Sequence, residues 1–80
     1  MSVTYYVVVP FDRDEEGTLK PGEAQEAPNA NIARRRAGEF VETHAGAIAF
    51  SRAGDPSTGE FEDAVVLVSF GDVDMDALSG

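Results

Sequence analysis

His44 is the only histidine among 80 residues and falls near the centre of the apolar face of a predicted helix. A general base would need a nucleophile within reach and an acid to orient it. Ser51, Ser57 and Thr58 supply hydroxyls, but no nucleophile-elbow pattern surrounds any of them. One histidine without cysteine also makes no zinc site. A helix-end imidazole bonded to a carbonyl is the expectation, and a small enzyme using His44 is the alternative. Glu60 and Glu62 share one side of a strand, as an acid/base pair would, but with Asp63 beside them they read as a solubilised strand end. The stretch 52–59 combines glycines, hydroxyls and Arg52, a composition that can present N–H groups to an anion. It lacks phosphate-binding spacing and a following helix, so turn chemistry is expected. Arg34, Arg35 and Arg36 diverge by about 100° each on a helix and read as a solvated face, with Glu39 in pairing range. No catalytic residue is assigned, and no enzymatic activity is expected.

The most specific local pattern is acidic. Asp12, Asp14, Gly17 and Glu23 stand at the first, third, sixth and twelfth places of a twelve-residue run, with Leu19 at the apolar eighth. The run resembles an EF-hand calcium loop, in which six to eight oxygens wrap one cation. The resemblance implies Asp12, Asp14, Glu16 and Glu23 as the metal ligands. Three features depart from the pattern. Glu16 is one methylene too long at the fifth place, Lys20 stands where coordination is usually supported, and Pro21-Gly22 falls where the exiting helix should begin. A strand also enters where a helix should. The resemblance therefore covers the loop alone, and a solvated acidic turn is the competing reading. Calcium is the one cofactor considered; no other is expected.

The elements that must position these groups follow from periodicity. Val3 to Val9 is almost wholly β-branched or aromatic and ends near Pro10, so a strand is predicted. Its odd positions, Val3 to Phe11, make the better core face. Residues 12–28 read as a long polar loop with room for a short strand around Thr18-Leu19-Lys20. A helix is predicted from Ala30 to Ala45, capped by Asn29 (or Asn31) and closed by Gly46. Ala30, Ala33, Ala37, Phe40, Val41 and His44 share its apolar face. Ala47 to Ser51 and Phe61 to Phe70 complete the pattern, with Ile48 and Phe50 facing inward. The expected fold is α+β: a β-α-β-β chain with one helix on a three-stranded sheet in the order 1-3-2. Residues 1–71 make one domain carrying the acidic loop at 12–28, and 72–80 form an acidic tail that makes a short helical turn or frays. One helix covers only one sheet face, which leaves Tyr6, Val8, Val66 and Val68 as the expected interaction face. A homodimer or a protein partner would cover it, unless the long loop folds back.

Composition narrows the partners. Six basic residues against fifteen acidic give a net charge of −9, which disfavours nucleic acid and anionic membranes. Basic proteins and cations are compatible with it. Cysteine is absent, so disulfides play no part in stability. The apolar run near the start is too short to span a bilayer and has no basic region before it, so cytoplasmic residence is expected.

His44-Ala45-Gly46-Ala47-Ile48-Ala49-Phe50-Ser51-Arg52, followed by Gly54-Asp55-Pro56 and Gly59-Glu60-Phe61, resembles a small bacterial family of proteins of unknown function. The resemblance implies a bacterial cytosolic origin and carries over no site residues.

Overall fold

The computed structural model describes residues 2–78. Val3–Arg13 forms one long strand, β1, as its β-branched and aromatic content requires. The polar stretch after it doubles back on β1. Asp14–Gly17 makes a tight turn in which Gly17 takes φ +83°, a conformation that costs glycine nothing. The chain returns as β2 (Leu19–Pro21) and then β3 (Gln25–Ala27), both antiparallel to β1. The expected loop is therefore two short edge strands laid end to end along β1, the predicted short strand near Leu19 being the first. Gly22 N–H donates to Pro10 O across the gap at 2.7 Å, holding that edge between the two strands.

The helix α1 runs Ala30–Phe40 and is capped by Asn29, whose side-chain oxygen accepts from the Ile32 N–H at 2.9 Å. It stops short of the predicted Ala45. The amides of Thr43 and His44 both donate to Phe40 O, which tightens the chain into a turn, and His44 is held by Asp12. Beyond the turn, β4 (Gly46–Asp55) lies antiparallel along β1, from Phe11↔Gly46 to Val3↔Gly54. The predicted third strand is two strands, β5 (Glu60–Phe61) and β6 (Val65–Gly71), laid end to end along the other edge of β4. A 3-10 turn follows at Met75–Leu78; of the acidic tail, Ser79 and Gly80 lie outside the described residues.

The expected three-stranded sheet in the order 1-3-2 is thus replaced by six antiparallel strands in a curled half-barrel. β1 and β4 are central, β2 and β3 flank β1, and β5 and β6 flank β4. The predicted order placed the last strand in the middle because it is apolar on both sides. In the fold that strand is an edge, and its continuous apolar run comes partly from a bulge. Ala49 pairs with Val68 while Phe50 pairs with Val66, so Leu67 is an extra residue, and both Leu67 and Val68 pack toward the helix.

Two buried clusters lie on opposite faces of the sheet. Under α1, Ala33 and Ala37 meet Val8, Ala27, Ala47 and Ala49, with Tyr6, Ile32, Phe40, Leu67 and Val68 around them. Small side chains on both sides let the helix approach the sheet closely. On the other face Val9, Phe11 and Ile48 are buried, with Val7, Leu19, Phe50 and Val73 packed against them. The odd positions of β1 do carry a buried cluster, as expected, but the helix packs on the other face. The bulky odd face of β1 packs within the curl of the sheet, and the even face takes the alanine-lined helix.

Candidate interaction surface

The odd face is closed at one end only. Near Phe11 the curl brings Leu19 and Val73 over it, and Phe11 and Ile48 have no exposed surface. Toward the other end of β1 the Phe61 ring lies on Gly54, and the face stays partly exposed. The strand registers set its side chains out in rows: Val3, Gly54 and Phe61; then Tyr5 and Arg52; then Val7, Phe50 and Val66. Val3 is 37% exposed, Phe61 41% and Val66 45%. Tyr5, Val7 and Phe50 are half-buried beside them. Single exposed apolar side chains are ordinary on a protein surface, whereas a contiguous set marks a contact site.

The patch is held in place by local geometry. A Cβ at Gly54 would collide with the Phe61 ring, so the glycine is what lets the ring lie flat on β4. The Phe61 and Tyr5 rings meet at a tilt of 42°, with centroids 6.1 Å apart. The Arg52 guanidinium sits 5.6 Å from the Phe61 centroid, and its Nε donates to Glu62 O at 2.9 Å. An aromatic pair bordered by one cation, with valines on either side, suits a protein surface better than a small polar substrate.

The predicted face of Tyr6, Val8, Val66 and Val68 does not exist as one surface. Val8 is fully buried beneath the helix, and Tyr6 and Val68 pack against the same cluster. Val66 alone lies on the open face. The residues missed were Val3, Tyr5 and Phe61. All three follow once the odd positions of β1 are known to face away from the helix.

The calcium-like loop is a β-hairpin. Asp14 Oδ1 accepts from Glu16 N at 2.9 Å and from Thr18 N at 3.0 Å, while its Oδ2 pairs with Lys20 Nζ at 3.2 Å. These bonds, the Thr18 N–H foremost, hold the Asp14 carboxyl below its ordinary pKa. Asp12 points elsewhere: its Oδ2 meets His44 Nδ1 at 2.6 Å, and its Oδ1 accepts from Ala45 N at 3.3 Å. Glu23 follows the returning strand away from the hairpin tip, whereas a cation loop needs its first and last ligands to meet. Glu16 is exposed on the tip. Among the described residues, no group of three or more side chains is placed to hold a metal.

His44 is joined to a carboxylate rather than to the carbonyl expected. The hydrogen bond from His44 keeps the Asp12 carboxyl below its ordinary pKa. Such a pair fixes the imidazole's orientation, as in catalytic triads. No serine or threonine hydroxyl among the described residues bonds His44, and its ring packs edge-on against Phe40 at 5.6 Å. The pair fastens the turn after α1 to the end of β1. Of the three arginines, Arg34 bonds Asn31 Oδ1 and Arg36 donates to Glu26 O, and both are local structural contacts. Asp55 is held below its ordinary pKa chiefly by the Ser57 hydroxyl, in keeping with the turn expected there.

No family model, curated protein or solved structure matches the chain. The family resemblance read from His44 to Phe61 therefore rests on those residues alone. No helix among the described residues is long and apolar enough to cross a membrane.

Proposed function

We propose that this chain is a non-enzymatic protein-interaction module whose partner seats on the open sheet face. The observation that carries the reading is the row arrangement of Val3, Tyr5, Phe50, Phe61 and Val66, with Phe61 and Val66 more than two-fifths exposed. Covering such a patch yields about 25 cal/mol per Å² of apolar area removed from water. Docked aromatic side chains are common anchors of binding energy. The net charge of −9 supports a protein partner over nucleic acid or an anionic membrane. The absence of cysteine is compatible with a cytoplasmic setting.

Panning a displayed random-peptide library against the folded chain tests the reading. Recovered peptides should compete with one another and lose binding to the Phe61→Lys, Val66→Lys double variant, whose melting temperature should stay close to that of the parent. Peptides that bind parent and variant equally would place the contact elsewhere and end the proposal.

A further inference from the structure

The two edges of the sheet differ. Along one, β2 and β3 carry Lys20, Pro21 and Glu26, and Arg36 binds the Glu26 carbonyl. Charges and proline of this kind blunt an edge against further strand pairing. Along the other, β6 reads Val-Val-Leu-Val-Ser-Phe-Gly, with neither charge nor proline, and among the described residues it pairs with β4 alone. Val65 is 61% exposed, and Val66 belongs to both this edge and the open face. The bulge at Leu67 limits regular pairing to short stretches on either side, so the edge suits a short strand rather than open-ended growth.

The charge around β6 selects the strand. Glu60, Glu62 and Asp63 precede it and Asp72, Asp74 and Asp76 follow it. Arg52, at the Glu62 backbone, and Arg13, on Asp72 at 3.2 Å, offset part of this charge. A second copy pairing antiparallel through β6 would set Glu62 and Asp63 of each chain near Asp72 and Asp74 of the other; parallel pairing would set like ends together. Either arrangement concentrates negative charge at both ends of the new pair. A strand that is apolar in the middle and basic at both ends meets an uncharged centre and two acidic flanks.

We infer that the outer edge of β6 accepts an extended segment of a partner protein, apolar at its centre and flanked by lysine or arginine, as an added strand. The inference rests on the interaction reading above and names the partner's class. The probe is a synthetic peptide of alternating valine and threonine with two lysines at each end. Controls replace the lysines with glutamates, or the central residue with proline. Amide hydrogen exchange and NMR titration of the intact chain read the outcome.

The lysine peptide should slow exchange across Val65–Gly71, and the proline peptide should not. At low salt the glutamate peptide should bind roughly tenfold more weakly, with the gap closing near about 0.5 M salt. The Glu62→Lys, Asp63→Lys variant should narrow or reverse the preference. Equal binding of the two charged peptides, or no slowing at millimolar lysine peptide, overturns the inference. So does β6 protection that appears without peptide and grows with protein and salt concentration, since a second copy is then the occupant. All three results leave the open-face reading standing when panned peptides still depend on Phe61 and Val66. Panned peptides indifferent to those residues end that reading separately.

Discussion

Asp12 is the residue on which the helix-to-sheet connection depends. Its two oxygens take the His44 ring and the Ala45 amide, so a single carboxylate fixes where the turn after α1 meets β1. Because that carboxyl titrates below its ordinary value in the folded chain, its contribution is fully present above the unfolded pKa near 3.8. It is lost as pH falls through the depressed folded value. Asp12→Asn keeps an acceptor for the imidazole N–H and removes the charge. Melting temperatures of parent and variant should therefore differ at about pH 7, with the parent higher, and converge as pH falls below 3.8 and through the depressed folded value. Comparing the two cancels the general relief of negative repulsion that acid brings to so acidic a chain. A difference that persists unchanged in acid would mean that the carboxylate charge does not stabilise the turn.

At the scale of elements, β5 is the smallest strand and the one that builds the open face. It lies against β4 at Gly54, whose missing side chain leaves room for the Phe61 ring. Gly54→Ala should force that ring off the sheet, separate it from Tyr5, and cost about 1 to 3 kcal/mol by overpacking. Denaturant unfolding and the ring shifts of Phe61 check this; an unchanged Tyr5–Phe61 contact would contradict it. Several elements were legible in the sequence for physical reasons that survive in the fold. β1 follows from its run of β-branched and aromatic residues, the helix start from Asn29, and the turn at 56–59 from its proline and glycine, although β4 runs on through Gly54 and Asp55, where the turn was expected to begin. The pairing of β1 was not legible. Nothing local tells residues 18–27 to return along β1, and the alternation of Ile48 and Phe50 is equally compatible with either face. The helix chose its face by size: Ala33 and Ala37 fit over Ala47, Ala49 and Val8, and the bulkier Ile48 and Phe11 were left to the curl. Once β1 and β4 are known to pair antiparallel, the approach of Asp12 to His44 and the rows of the open face follow from the register.

Over the whole molecule, the described Cα atoms span 42 × 24 × 16 Å. Packed layers lie about 10 Å apart, so the shortest dimension holds one sheet and one helix and leaves no depth for a third layer. The curl compensates at one end by folding Leu19 and Val73 over Phe11; away from that end Val3, Phe61 and Val66 stay exposed. The most direct test is an NMR shift map of the intact chain titrated with the best panned peptide. Perturbations are predicted at Val3, Tyr5, Phe50, Phe61 and Val66, with Ala33 and Ala37 under the helix unmoved. Shifts centred on the helix or on the Asp12–His44 pair, with the open face silent, would contradict the account.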